Sequence, residues 1–389
     1  MHYCGIDIAK RKHVVAVLDE KGEIVKAPFS VDNSHAGFEQ LRDALSAIPG
    51  QVTVGLEATG HYWLALYEYL TRLPYPVVVF NPLQIHAYRK SGLRKVKNDR
   101  SDAIWIADFV RIGNRQPTTQ AMPQLLQLKE LARFRMHLTQ QIGDLKRKVL
   151  GVLDRIFPEY ETAFSSVFLA SSRELLARAT TPQEIAEFDL GELAELLRRS
   201  SFGRFGQAKA EALQNLARDS VGVSFLADAA RVELHCLLSQ MDLLEVQRDR
   251  VDEALEQLMA SLPQYITTIP GIGPVSGAAI LAEIGDVSRF PTVEKLVAYA
   301  GIDATVYQSG EFEGTHRHMS KRGSPYLRLA LWQAAFMAIQ HDPELRAYYN
   351  RKRAEGKAHG TALGAICRKL LARIYVVLKE QRPYIPRAA

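Results

Sequence analysis

Cysteine is scarce in this chain of 389 residues: the three present, Cys4, Cys236 and Cys367, are odd in number and far apart. Neither a disulfide framework nor a four-ligand zinc site is therefore expected, and a reducing cytosol is the implied compartment. An unbroken apolar span is missing too. Residues 257–282 carry no charge, but Pro263, Pro270, Pro274 and the run Gly271-Ile272-Gly273 interrupt any helix that could cross a bilayer there. The first residues, Met1 to His13, lack the apolar core of a secretory signal, so neither export nor a membrane partner is expected. Charge of one sign is not concentrated either: 49 Lys and Arg against 43 Asp and Glu leave a net +6, a mild bias toward polyanions. Disordered and fibrous classes are excluded, because 47% of the residues are hydrophobic and only 24% charged. The length implies two or three folded units.

What is present changes character along the chain. Short β-branched runs at His2 to Ile8, Val14 to Leu18 and Glu23 to Phe29 predict a three-stranded antiparallel meander. A helix bearing Phe38, Leu41, Leu45 and Ile48 on one face follows, then a strand at Val52 to Leu56, a helix at Tyr62 to Leu73 and a strand at Pro76 to Phe80. Asp102 to Ile112 reads as a further helix. The strand pattern then ends. Leucines at Leu125, Leu128, Leu131, Leu138, Leu145 and Leu153 predict a long amphipathic helix, and Arg231 to Leu262 repeats that pattern near a heptad spacing. The second stripe is either one arm of an intramolecular hairpin or a coiled-coil contact between copies. The fold class expected is α/β plus all-α, with an α/β domain over 1–157, a helical and coiled-coil insertion over 158–262 and a mostly helical domain over 263–389.

Several residues have side chains that packing alone does not explain. Asp7 ends an apolar first strand and Glu57 ends a buried fourth one, and those strands are neighbours in a sheet of this order, so the carboxylates can converge. Asp99 and Asp102 stand three apart at a helix start and project to one side, where N-capping and dipole stabilisation are the competing explanation. Four carboxylates make an oxygen-rich set suited to Mg²⁺ or Mn²⁺, and a pair of such ions about 4 Å apart can hold both the attacking and the leaving oxygen of a phosphodiester. Arg89, Lys90, Arg94, Lys95, Lys97 and Arg100 surround this set in sequence and suit a phosphate backbone. Further on, Ile269 to Pro274 followed by a small-residue helix reads as a helix-hairpin-helix, in which Gly271 and Gly273 would let the backbone approach a phosphate. A tight turn without a ligand is the alternative. His318, Lys321 and Arg322 form another basic cluster better suited to phosphate than to metal. Cations among helical patterns in the tail, with Arg346, Arg368, Lys369 and Arg373 among them, suit either a solvated face or a nucleic-acid surface.

Gly5-Ile6-Asp7-Ile8-Ala9-Lys10, Glu57-Ala58-Thr59-Gly60, Asn81-Pro82 and Asp99-Arg100-Ser101-Asp102-Ala103 together resemble the DEDD transposases of insertion-sequence family 110. The proline-glycine hairpin, Ala300-Gly301-Ile302, Tyr307-Gln308-Ser309-Gly310 and His318-Met319-Ser320-Lys321-Arg322-Gly323 resemble the same family's C-terminal domain. The resemblance implies an RNase H-like (RuvC-like) N-terminal domain in which Asp7, Glu57, Asp99 and Asp102 bind Mg²⁺ or Mn²⁺, and a C-terminal domain in which Ser309 is the nucleophile. It also implies target and donor DNA, a guide-type bridge RNA, and a homodimer that assembles into a tetrameric synapse. By its neighbours alone Ser309 is an unremarkable turn residue, since no histidine adjoins it to act as a base. The rivals are a junction nuclease in which water attacks, an actin-like kinase suggested by Gly5-Ile6-Asp7, and a non-catalytic RNA- or DNA-binding scaffold. Residues 158–221 carry no motif of any of these.

Overall fold

Five strands build one mixed sheet. A computed structural model of the chain describes residues 1–58, 60–80, 82–91, 99–112, 123–304, 308–309, 312–313 and 318–386. Strands β1 (His2–Asp7), β2 (Lys12–Leu18) and β3 (Ile24–Asp32) form the antiparallel meander the sequence predicts. Helix α1 (His35–Ser46) starts where the Ser34 side chain accepts a hydrogen bond from the Gly37 N–H at 3.3 Å, a cap that satisfies one of the helix's free donors. Then come β4 (Val52–Glu57), α2 (Trp63–Leu70), β5 (Val77–Phe80), α3 (Pro82–Ser91) and α4 (Asp99–Arg111). The strand order is β3-β2-β1-β4-β5, with β1, β4 and β5 parallel.

The two-residue period of the strands divides their side chains between two helical layers. Cys4, Ile6, Val15, Val17, Val54, Leu56, Val77 and Val79 pack with Leu41 and Leu45 of α1 and with Leu66 and Leu70 of α2. On the opposite face Phe80 and Val78 meet Ile85 of α3 and Ile106, Phe109 and Val110 of α4, while Val14 and Ala16 meet Ala103. Helix α4 lies close because two glycines face it. A Cβ on Gly5 would stand 2.2 Å from the Ala103 carbonyl oxygen, and one on Gly55 would stand 2.2 Å from Val110 Cγ2. Helix α3 has no counterpart in the sequence reading.

His13 is fully buried in this unit. It stacks on Phe38, and its Nδ1 accepts the Ala9 N–H at 3.3 Å. Burial pulls its pKa below the ordinary histidine value, with a side-chain contact from Asn33 offsetting part of the drop. A folded pKa below the unfolded one, about 6.5, means that unfolding takes up a proton. The histidine's contribution is therefore complete above about pH 6.5 and is lost as pH falls toward the folded pKa. Thermal unfolding followed from pH 8 to pH 5 is expected to fall less steeply for His13→Gln than for the parent chain.

Backbone contacts divide the chain into two units, 1–125 with 284–296, and 126–283 with 297–389. The second is helical. It is built on α5 (Pro123–Ile156) and α11 (Ala227–Ser261), between which lie α6 (Tyr160–Ala163), α7 (Ala170–Arg178), α8 (Pro182–Glu187), α9 (Leu190–Ser200) and α10 (Gln207–Arg218). Ion pairs Arg135–Asp252 and Arg155–Glu233 join α5 to α11 in antiparallel register, so the second leucine stripe is the arm of an intramolecular hairpin. Leu145, Val149 and Val152 of α5 share a core with Leu234, Leu238 and Met241 of α11 and with Leu175, Leu193 and Leu213 of the short helices. Residues 158–221, without a motif, thus form a packed helical cluster. The Tyr160 hydroxyl lies 3.0 Å from Ser172 Oγ within it, and Thr181 with Glu184 makes a capping box on α8.

The rest of this unit comprises α12 (Pro274–Ile284) to its next-to-last residue, the second half of α13 (Val293–Ala300), whose residues 293–296 fall in the first unit, a hairpin of β6 (Gln308–Ser309) and β7 (Phe312–Glu313), then α14 (Pro325–His341), α15 (Pro343–Ala354) and α16 (His359–Glu380). Alanines 330, 334, 335 and 338 of α14 are buried, as are Leu363, Ile366 and Leu370 of α16. No helix among the described residues is long and apolar enough to cross a membrane.

Candidate active site

The two glycines that admit α4 also place the first two acids. Gly5 and Gly55 are register partners on the parallel β1–β4 pair, and two residues on from each, toward the same face, stand Asp7 and Glu57. Neighbouring strands run about 5 Å apart, so the two carboxylates end adjoining strands on the side that α4 covers. Asp102 belongs to the first turns of α4, immediately before the alanine whose carbonyl abuts Gly5, and is 8% exposed. Sequence spacing thus brings three of the four predicted acids to one end of one sheet face. The backbone of Asp99 opens α4; its side chain lies outside the described residues.

A cation occupies this cluster. Arg89, on α3, reaches Asp102 Oδ2 with Nη1 at 3.1 Å and Glu57 Oε2 with Nη2 at 3.6 Å. Its Nε and Nη2 are buried and donate no hydrogen bond to a described residue. Two carboxylates sharing one incompletely satisfied guanidinium make a site whose charge favours a cation. Glu57, Pro82, His86 and Arg89 line a cavity of about 270 Å³ beside it. Among the described residues no three His, Cys, Asp or Glu side chains are grouped as a metal site. The donors available, all carboxylate oxygens, nevertheless fit a hard divalent ion, which would be held by Asp7, Glu57 and Asp102.

The sequence reading took Arg89 for a phosphate ligand and missed its place between the acids, along with His86 one helical turn before it. A signal was present: Pro82 suits a first helical position, and 86 and 89 share a helix face. Of the other predicted basic residues, Arg100 is exposed on α4. Arg94, Lys95 and Lys97 lie outside the described residues, as does the side chain of Lys90.

In the second unit the predicted residues have separate settings. Gly271 has a φ of +90°, and a Cβ there would stand 2.4 Å from the Ala338 Cα, so turn geometry and packing on α14 require this glycine without any ligand. A Cβ on Gly273 would meet no described atom within 4 Å, and the residue lines a cavity of about 610 Å³ with Arg135 and His341. Ser309 pairs with Phe312 across the β6–β7 hairpin; its side chain lies outside the described residues. A bridge between Ala304 and Met319 closes the base of that segment, and His318, Lys321 and Arg322 stand exposed beside Met319.

A mixed sheet that gathers carboxylates at one end, joined in one chain to a mostly helical unit, is the architecture of an α/β enzyme with a helical partner region. Comparison with known families makes this specific. Residues 4–158 match a DEDD transposase model described as "Transposase", and residues 263–350 match the "Transposase IS116/IS110/IS902 family" model. The protein of the IS117 mini-circle from Streptomyces coelicolor, named as its transposase, is 28% identical over 99% of this chain and 97% of its own length. The 43.6 kDa protein of insertion element IS110 from the same organism is 25% identical over 97% of this chain and 94% of its own. The pilin gene-inverting protein of Moraxella bovis is 24% identical over 98% and 97%. The chain belongs to the IS110 family of DEDD transposases, enzymes that cleave and transfer DNA strands.

Proposed function

We propose that this transposase recombines the DNA of its own insertion element under the guidance of a bridge RNA, with Ser309 as nucleophile and the acids Asp7, Glu57, Asp99 and Asp102 holding Mg²⁺ or Mn²⁺. The observation that supports the reading is that Glu57 and Asp102 share the Arg89 guanidinium while Asp7 ends the strand paired with the one that ends in Glu57. A divalent ion bound there would neutralise phosphate charge and ease loss of the serine proton. The sheet order, a meander extended by parallel strands, supports an RNase H-like (RuvC-like) domain. A net charge of +6 suits nucleic-acid partners, among them an RNA that would choose sequence by pairing. A homodimer that pairs into a tetramer at the synapse completes the reading.

In the step itself the Ser309 Oγ–phosphorus bond forms as the bond from phosphorus to one sugar oxygen breaks. The serine gives up its proton and the leaving sugar oxygen gains one. Arg89, released from Asp102, supplies a cation for a non-bridging phosphate oxygen.

Denaturing gels of the protein incubated with element-end DNA, bridge RNA and Mg²⁺ are expected to show a covalent adduct that Ser309→Ala abolishes while RNA binding persists. Asp102→Asn is expected to lower adduct formation by at least about 100-fold. Cleavage without an adduct, undiminished in Ser309→Ala, would mean that water attacks and would overturn the serine assignment.

A further inference from the structure

A cavity of about 520 Å³ in the helical unit, lined between the base of the β6–β7 segment, α14 and α16, has no part in the site described above. Its cations are unspent. Among the described residues Lys321 and Arg368 form no ion pair with a carboxylate, and Arg328 donates Nη1 to the Ala300 carbonyl at 3.2 Å. Arg373 and Arg135, in contrast, are matched with acids: Arg373 holds Asp342 and Glu344, and Arg135 holds Asp252. The one acid lining the cavity, Asp303, is engaged by the Ser320 hydroxyl.

The wall is shaped as well as charged. Lys321 adopts a φ of +53°, a conformation uncommon for a residue with a side chain, and is held there by its N–H to Gly301 O at 3.1 Å. Ser320 N–H to Asp303 O at 2.9 Å secures the residue before it. Opposite lies Trp332, half-buried, with Gly360 and Gly364 on α16 beneath its ring: Cβ atoms there would stand 3.9 and 3.8 Å from the indole. Glycines at these positions keep α16 from placing a side chain of its own against the ring.

We infer that this cavity binds one unpaired nucleotide of a single strand, its base against the Trp332 indole and its phosphate between Lys321, Arg328 and Arg368. Three cations without an acidic partner among the described residues, beside an aromatic ring, are the elements of a single-strand platform, which reads stacking and backbone charge. A duplex keeps its bases inside and cannot use the ring. The inference rests on the reading of this chain as a nucleic-acid recombinase and adds to it a place for a strand that pairing has released or left single.

The test uses the full-length protein in EDTA, with tryptophan fluorescence and the anisotropy of labelled oligothymidylate and oligouridylate of about ten nucleotides and of a matching DNA duplex. Trp332→Leu and Arg368→Gln are each expected to weaken single-strand binding about tenfold, Trp332→Phe to retain most of it, and duplex binding to change less than about twofold. Whichever oligomer binds more tightly identifies the strand as DNA or RNA. Unchanged single-strand affinity in Arg368→Gln, an exposed position that folding does not need, would overturn the inference, as would equal binding of a poly-glutamate peptide. Failure of the parent chain to cut element-end DNA in Mg²⁺ would instead sink the recombinase reading and leave this binding result standing.

Discussion

Arg133→Met is expected to destabilise the helical unit by about 3–5 kcal/mol, and Glu283→Gln by only about 1–3 kcal/mol, although the two residues share one ion pair. Arg133 on α5 donates Nε and Nη2 to the Glu283 carboxylate of α12 at 2.7 and 3.2 Å, and its guanidinium lies 4.3 Å from the ring centroid of Tyr326. Ser324, the N-cap of α14, adds a hydroxyl to Glu283 Oε2 at 2.9 Å, and the Tyr299 hydroxyl donates to the Glu283 carbonyl at 3.2 Å. Burial alone would pull the Arg133 pKa down, but the hydrogen bond and charge of Glu283 outweigh it and hold the guanidinium above its ordinary value.

The two partners differ in access to water. The Glu283 side chain is 3% exposed and that of Arg133 is 39% exposed. Without Glu283 the guanidinium can turn into solvent and recover hydration. Without Arg133 the carboxylate stays buried but loses the guanidinium it is paired with, and a buried charge deprived of its ion-pair partner is the more expensive outcome. Urea unfolding of both variants measures the difference. A milder effect for Arg133→Met than for Glu283→Gln would mean that the carboxylate reaches water or a proton by a route this packing does not offer.

How much of this was readable beforehand varies by physical cause. The meander, the strands carrying Asp7 and Glu57, and the long helices were legible because burial imposes a period of 2 or 3.6 on the residues themselves. The adjacency of the strands that end in Asp7 and Glu57 was legible too, since it follows from the element order. Arg89 was not, because its role depends on α3, whose weak apolar pattern from Pro82 to Ser91 hid a helix among basic residues. Gly271 is ambiguous in sequence for a related reason: a glycine that admits a phosphate and one that admits the backbone of Ala338 leave the same mark. The packing of residues 158–221 was not legible because their buried set, including Tyr160, Leu175, Leu193 and Leu213, is shared among short helices too brief to show a period.

Gly5→Ala is expected to leave the chain folded but to lower DNA cleavage by about 100-fold or more. An added Cβ would stand 2.2 Å from the Ala103 carbonyl oxygen and from the Ala107 nitrogen, both backbone atoms of α4 that no rotamer change can move. Ordinary contact is restored only if α4 retreats by about 1 Å, and a displacement of that size at reacting groups costs about two orders of magnitude in rate. Overpacking of this kind costs about 1–3 kcal/mol, within what a folded domain tolerates. Because Asp102 rides on α4 and Glu57 on β4, the retreat would change the separation that Arg89 now bridges. Gly143→Ala is the control: it lies on α5 with only the Arg147 side chain within 4 Å, and should gain about 0.5–1 kcal/mol by propensity without affecting cleavage. Cleavage rates and urea midpoints for the two variants separate stability from placement. Wild-type cleavage by a folded Gly5→Ala protein would show that the position of α4 does not set the geometry of the acids.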